Sequence, residues 1–143
     1  MRARETSHFG IYGVLLQQGR LVTVRKSRGP YEGLLDLPGG TPEAGESPWQ
    51  TLRRELIEEV GARLISAQEW RTFALHVVRS SRGVPINGWH RGRVARVRAT
   101  GRADVTWVED VVGVELIEPH RLPLGACSAP LAWALRTHLV RGA

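Results

Sequence analysis

Three glutamates lie close together in one short stretch of the chain and could bind a metal ion. Glu55, Glu58 and Glu59 have the i, i+3 and i+4 spacing that places side chains on one side of a helix. Carboxylates this close repel one another, and no Lys or Arg lies between Glu55 and Ala62 to relieve the repulsion. Oxygen ligands suit Mg²⁺ or Mn²⁺, which keep water and phosphates as further ligands. By helix spacing alone, a solvated acidic surface explains the group as well as a metal site does.

The segment that carries these glutamates predicts an amphipathic helix over Pro48–Val60. Ser47 can cap the first free N–H groups, and proline suits the first helical position. Gly61 can end the helix in the left-handed conformation. At about 100° per residue, an apolar face lies opposite the glutamates. Its members are Trp49, Leu52, Leu56 and Val60.

The spacing of fixed residues from Gly40 to Ala62 favours the metal site. The fixed positions in these 23 residues are Gly40, Glu46, Arg54-Glu55-Leu56, Glu58-Glu59 and Gly61-Ala62. The intervals between them are five, seven, one and one residues. The pattern resembles the Nudix box at every fixed position, although Ala62 is smaller than the aliphatic residue usual there. The preceding Leu37-Pro38-Gly39 resembles the lead-in to that box.

The resemblance implies both a fold and a reaction. The fold is an α/β/α sandwich, in which a mixed β-sheet is flanked by the box helix and a C-terminal helix. The reaction is the metal-dependent hydrolysis of a nucleoside diphosphate linked to another group, in which the cation neutralises phosphate and activates water. The short chain is similar to MutT-like members, so the best guess is a nucleoside triphosphate giving a monophosphate and pyrophosphate.

The resemblance also implies roles for individual residues. Glu58 and Glu59 are expected to bind Mg²⁺ or Mn²⁺, and Glu55 to bind metal or act as general base. The carbonyl of Gly39 is expected to be a further ligand. Arg54 is expected to pair with a box carboxylate and fix its rotamer. Glu46 is expected to support the metal ligands without binding the metal itself.

Several candidates lie outside the box. Many family members use a further acid, for which Asp104 fits best and Glu109 and Glu115 fit less well; an exposed surface acid explains Asp104 equally well. Arg25 and Arg28 in or beside the loop Lys26–Gly33 could meet substrate phosphates, or could simply be solvated. His76 could act as a base, although a lone His in a strand is more often structural. The aromatic residues that could stack on a base are Tyr31, Trp89 and Trp107.

Length and composition favour a single soluble domain. The 143 residues contain no run of eighteen apolar residues and no signal-peptide pattern after Met1. Cys127 is the single cysteine, which excludes an internal disulfide and favours the cytoplasm. We expect a monomer or a homodimer with a small-molecule nucleotide substrate and no membrane partner.

The net charge of +6 favours anionic partners. Eight arginines and no acid lie between Glu69 and Asp104, and Trp89 is among them. We expect this segment to steer small nucleotides more than to track RNA or DNA, because single-strand platforms usually interleave several aromatics with the cations. A charged strand edge is an equally simple explanation. Two alternatives stay open: an enzyme acting on RNA 5′ ends or another nucleic-acid-binding protein, and a non-catalytic nucleotide-binding module, which the intact box disfavours.

Alternation of apolar residues predicts strands on both sides of the box. The predicted strands are Phe9–Leu16 and Leu21–Arg25 as a hairpin, Leu34–Leu37, Arg63–Gln68, Arg71–Val78, Val94–Ala99 and Val105–Val108. Ser80–His90 is predicted as a loop because Pro85 and Asn87-Gly88 are turn signals. Ser128–Val140 is predicted as the closing helix, and Glu109–Arg121 favours no single structure.

Overall fold

The computed structural model describes residues 3–101, 103 and 110–140. Within these residues, seven strands and two α-helices follow one another along the chain. They are β1 Glu5–Gln17, β2 Arg20–Lys26, β3 Leu35–Asp36, β4 Gly39–Gly40, α1 Pro48–Val60, β5 Arg63–Arg79, β6 Pro85–Thr100, β7 Val111–Ile117 and α2 Ala129–Arg136. No helix in this part of the chain is long and apolar enough to cross a membrane.

Strand β1 is the centre of a mixed sheet with the order β3-β2-β1-β6-β5. It runs parallel to β6, from the pair Glu5↔Asn87 to the pair Leu15↔Val97. Its other neighbours, β2 and β4, are antiparallel to it. Strand β5 pairs antiparallel with β6, and β7 pairs antiparallel with β2. The predicted β1–β2 hairpin is therefore present.

The two helices cover opposite faces of the sheet. On one face, Leu52 and Leu56 of α1 pack with Ile11 and Leu15 of β1. On the other face, Leu131 of α2 belongs to a second cluster of buried residues. Its other members include Tyr12, Val14, Phe73 and Val94. Alternate residues of β1 thus feed two cores, and the predicted α/β/α sandwich is confirmed.

The box helix has the predicted bounds and caps. The Ser47 hydroxyl accepts the Gln50 N–H, the Gln50 side chain accepts the Ser47 N–H, and Gly61 has φ of 69°. The predicted apolar face is wrong at one residue. Trp49 is 39% exposed, because the first turn of α1 extends beyond the core that buries Leu52 and Leu56.

Other predicted boundaries shift for identifiable reasons. Arg63–Arg79 is one strand, because irregularities between Gln68 and Arg71, with φ of 54° at Glu69, let pairing with β6 continue. The predicted loop Ser80–His90 is wrong from Pro85 onward, since β6 begins there.

At the other end of the chain, α2 ends at Arg136, earlier than predicted, where the Thr137 hydroxyl donates to the Trp133 carbonyl at 2.9 Å. Strand β7 lies in the stretch that had no assignment. The predicted strand Val105–Val108 falls outside the described residues.

Candidate active site

Two glycines bring the start of the box against the helix that carries the glutamates. Gly39 has φ of 146°, and a Cβ there would lie 2.1 Å from the Ile11 carbonyl oxygen. A Cβ on Gly40 would lie 2.7 Å from Glu55 Oε1. Only glycine therefore lets β4 approach β1 and Glu55 this closely.

Glu59 is buried, which corrects the prediction that all three glutamates point away from the core. Its side chain is 4% exposed, and its Oε1 accepts the Gly39 N–H at 2.7 Å. Burial raises the pKa of Glu59 well above its ordinary value, although the Gly39 hydrogen bond opposes this. A buried carboxylate with a raised pKa is stabilised when a cation arrives beside it.

Arg54 lies among the carboxylates of the box. Its Nε and Nη2 donate to the two oxygens of Glu46 at 2.8 and 2.9 Å. Its Nη1 donates to Glu55 Oε1 at 2.8 Å and lies 3.4 Å from Glu58 Oε2. One guanidinium thus contacts these three carboxylates, with Glu43 Oε1 also 3.7 Å from Nε, and reduces the repulsion that helix spacing alone implies.

The carboxylates around Arg54 differ in their protonation. The hydrogen bonds from Arg54 lower the pKa of Glu46 to about 2, with help from the Glu43 N–H. Burial raises the pKa of Glu55, while Arg54 opposes that shift. Glu46 is therefore a permanent anion that holds Arg54, and Glu55 is a stronger base than an exposed carboxylate.

The donor set of the box fits a hard divalent cation. Every candidate ligand side chain is a carboxylate, and Glu58 is 46% exposed at its side chain. In the described part of the chain, no group of three or more metal-binding side chains is arranged for an ion. The reason is visible in the contacts: Glu55 and Glu58 contact Arg54, whereas Glu59 accepts the Gly39 N–H.

The predicted phosphate-binding arginines contact other carboxylates. Arg25 Nε lies 2.5 Å from Glu115 Oε2, and its Nη1 donates to the Gly33 carbonyl. Arg28 pairs with Asp110. Glu115, a weaker candidate for the acid outside the box, is thus the partner of Arg25. Three further residues with predicted roles fall outside the described part of the chain. They are Asp104, Trp107 and Glu109.

A cleft of about 370 Å³ opens on the α2 side of the sheet. It is lined by residues of β1 and β6 and of the loop after β2, among them Lys26, Tyr31, Asp36, Trp89 and His90. The tip of the β5–β6 hairpin fixes that loop, because the Ser81 N–H donates to the Pro30 carbonyl at 2.8 Å.

A neutral histidine forms the floor of this cleft. His90 is 5% exposed, with Nδ1 at 2.7 Å from the Tyr31 hydroxyl and Nε2 at 2.8 Å from the Tyr12 hydroxyl. Burial lowers the pKa of His90 to about 3. A neutral imidazole has one donor and one acceptor nitrogen, so one tyrosine accepts and the other donates.

Sequence reasoning missed one acidic residue of this region. Asp36 is buried, accepts the Ser128 hydroxyl at 2.5 Å and lines the cleft. A lone acid in the apolar strand before Leu37 is a signal that could have found it. Lys26 lines the cleft, and its positive charge acts to lower the pKa of both Glu55 and Glu59. His76, considered as a base, instead lies 2.6 Å from Asn87 Oδ1 and stacks on Trp89.

The fold resembles solved structures of MutT proteins. A MutT NUDIX hydrolase from Burkholderia pseudomallei superposes with a TM-score of 0.69 at 20% identity, covering 92% of this chain and 97% of that one. The mutator MutT protein from Bacillus halodurans gives a TM-score of 0.68 at 19% identity, covering 94% and 84%.

Sequence comparison gives one short match and one long match. An 8-oxo-dGTP diphosphatase from Haemophilus influenzae is 46% identical over 39 residues, which span 27% of this chain and 29% of that protein. The NUDIX domain family matches residues 5–133. The chain therefore belongs to the NUDIX family of hydrolases, which confirms the family and the enzyme class that the box predicts.

Proposed function

We propose that this protein hydrolyses a nucleoside triphosphate to a monophosphate and pyrophosphate with Mg²⁺ or Mn²⁺. The observation that carries the proposal is the cluster of Glu55, Glu58 and Glu59, held by Arg54 and the Gly39 N–H. The partial similarity to an 8-oxo-dGTP diphosphatase makes purine triphosphates the first substrates to test.

The proposed metal ligands are Glu55, Glu58, Glu59 and the Gly39 carbonyl, with Asp104 as a further candidate. A bound divalent cation would neutralise phosphate charge and lower the pKa of a water molecule. Glu58 is the most accessible of the three glutamates. Glu55 is proposed as the base that takes the proton of the attacking water, because burial raises its pKa above that of an exposed carboxylate. Arg54 is proposed to position Glu55 and Glu58.

The cleft is proposed to bind the nucleoside. Its aromatic groups include Tyr31, and its polar groups are the buried Asp36 and the neutral His90. Lys26 is proposed to contact the triphosphate, because it lines the cleft and its charge also acts on Glu55 of the box. Pockets of this kind recognise a ligand by a few placed polar groups in an apolar wall.

A panel assay tests the proposal. Purified protein is incubated with 8-oxo-dGTP, dGTP and the common nucleoside triphosphates, with Mg²⁺ or with excess chelator. We expect a monophosphate and pyrophosphate only when the cation is present. Undiminished turnover in excess chelator would show that hydrolysis does not require a metal ion. Nucleotide binding without turnover of any panel member would favour the binding-module alternative.

A further inference from the structure

Beyond the edge of α1, the sheet presents an exposed surface of rings and guanidinium groups. We name it the aromatic–arginine face and define it by Phe9, His76, Trp89, Arg91 and Arg93. The strand register places these residues together: in β1, Phe9 is opposite Arg91, and in β5, His76 is opposite Trp89. The fold therefore gathers side chains from three strands that are far apart in sequence.

These residues share the sheet face that α1 covers farther along. Ile11 is opposite Arg93 in the register, and Ile11 packs in the same core as Leu52 and Leu56. Successive side chains of a strand alternate between faces, so Phe9, two residues before Ile11, points to the same side. Arg91 and Arg93 do so in β6. Phe9 is 46% exposed.

The cations of this face lie over rings rather than beside acids. The Arg91 guanidinium carbon is 4.9 Å from the centre of the Trp89 ring, and that of Arg93 is 5.0 Å from the centre of Trp70. Trp89 also stacks on His76, with ring centres 4.7 Å apart and planes at 14°. Among the described residues, no carboxylate lies within 4.0 Å of either arginine. The positive charge is therefore available to an external anion.

The aromatic–arginine face leads directly to the box. Gly40, Ile11 and Arg93 are successive partners across β4, β1 and β6. At about 4.8 Å between strands, Arg93 lies roughly 10 Å from Gly40. Gly40 is in turn the residue whose Cβ would touch Glu55. A long anionic chain on this face would reach the candidate active site without crossing an acidic surface.

We propose that the aromatic–arginine face binds single-stranded nucleic acid. Arginines can neutralise phosphates while exposed rings stack with unpaired bases, and a duplex hides its bases from such stacking. Along the sequence, Trp89 is the one ring identified among these arginines as able to stack on a base. The fold adds the rings of Phe9 from β1 and His76 from β5. A second copy of the chain fits worse, since a two-fold contact would bring Arg91 and Arg93 against their own copies. The proposal does not depend on hydrolysis.

Binding of labelled oligonucleotides tests the proposal in chelator, where metal-dependent turnover cannot interfere. The probes are RNA and DNA single strands of about twelve nucleotides, within the range of known single-strand sites, and the matching duplexes. The key variant is Arg91→Gln/Arg93→Gln. The matched control is Arg96→Gln/Arg98→Gln, which removes the same charge from the same strand on the opposite face, where Arg96 and Arg98 line a groove with Val14 and Leu16.

We expect the single strands to bind and the duplexes to bind more weakly. The Arg91→Gln/Arg93→Gln variant should lose at least about tenfold in affinity and reduce the salt slope by about 0.7 for each lost phosphate contact. The control double variant should stay within about threefold of wild type, because it removes only long-range charge. Phe9→Leu should weaken binding without changing the salt slope, since it removes a ring and no charge. Comparison of the affinities for RNA and DNA single strands then identifies which nucleic acid this face prefers.

Four results would overturn the proposal. They are no measurable single-strand binding by wild type, equal losses in the two arginine double variants, duplexes bound as tightly as single strands, and a wild-type dimer in sedimentation that only Arg91→Gln/Arg93→Gln dissociates. The same variants are assayed for nucleotide hydrolysis with Mg²⁺. Normal hydrolysis without oligonucleotide binding would reject this face and leave the proposed function intact.

Discussion

The box and the floor of the cleft are both polar networks with buried members, yet one is charged and the other neutral. In the box, one arginine is shared by Glu46, Glu55 and Glu58, and Glu59 is buried beside a backbone N–H. In the cleft, two tyrosines satisfy both nitrogens of His90.

The difference indicates which network is ready for a cation. The cleft floor has its hydrogen bonds satisfied and its charge removed, so it is suited to stability and to shape. The box keeps more carboxylates than its one arginine can neutralise, which costs stability until another cation binds. Buried polar groups alone therefore do not identify a catalytic centre; uncompensated charge does.

The comparison predicts its largest effect at Glu59. We expect Glu59→Gln to lower nucleotide hydrolysis by more than about 100-fold, because a proposed ligand charge is lost. The amide can still accept the Gly39 N–H, and removal of a buried charge should keep or raise the melting temperature. Steady-state rates and thermal melts are measured together. Glu5→Gln, an exposed carboxylate at the start of β1, is the control and should retain its rate; an equally active Glu59→Gln would remove Glu59 from the ligands.

A smaller loss is expected when Arg54 keeps its charge but loses its forked geometry. Arg54→Lys cannot contact three carboxylates at once, so we expect activity to fall by about 10- to 100-fold, as is typical for residues that orient ligands. Arg53→Lys is the matched control, because Arg53 directly precedes Arg54 in α1 and its side chain is exposed. The positioning role predicts that Mg²⁺ titration shifts to higher concentration in Arg54→Lys alone. Equal Mg²⁺ curves for the two variants would contradict it.

In the neutral network, the expected effect is on stability. Tyr31→Phe leaves one buried His90 nitrogen without its partner and should lower the free energy of unfolding by about 1–3 kcal/mol. The double variant Tyr31→Phe/His90→Phe removes the unsatisfied nitrogen as well and should recover part of that loss. Chemical denaturation measures both. If Tyr31→Phe were as stable as wild type, the cleft floor would not be a hydrogen-bonded unit.

The smallest effect is a pH dependence at Glu46. Its pKa is lowered from 4.5 to about 2 in the folded protein, so the pairing stabilises the fold fully above about pH 4.5. That contribution should disappear as the pH falls from 4.5 toward 2. The difference in melting temperature between wild type and Glu46→Gln should therefore shrink over this window. A difference that stayed constant with pH would show that hydrogen-bond geometry, and not ionisation, holds Arg54.

Local features were predictable from the sequence, and long-range partners were not. The bounds and caps of α1 follow from Ser47, Pro48 and Gly61, because caps act within one turn. The burial of Glu59 was missed because its partner is the Gly39 N–H, twenty residues earlier.

The same limit explains the missed start of β6 and the missed role of Arg25. Asn87-Gly88 is a turn signal by composition, but here it lies in β6, paired on one side with β1 and on the other with β5. Arg25 is bound by Glu115, ninety residues away on a strand that had no predicted structure.

The parallel pairing of β1 with β6 has a consequence for how the chain reaches this structure. Each partner in that ladder is 82 residues from the other, from Glu5↔Asn87 to Leu15↔Val97. Pairs so distant in sequence form slowly, because a long loop must close before any contact compensates for its lost entropy. The box helix is synthesised before β6, yet the core that buries Leu52 and Leu56 contains Ala95 and Val97 of that strand. During synthesis, the apolar side of the helix that carries the proposed metal ligands therefore cannot be fully buried until β6 has been made.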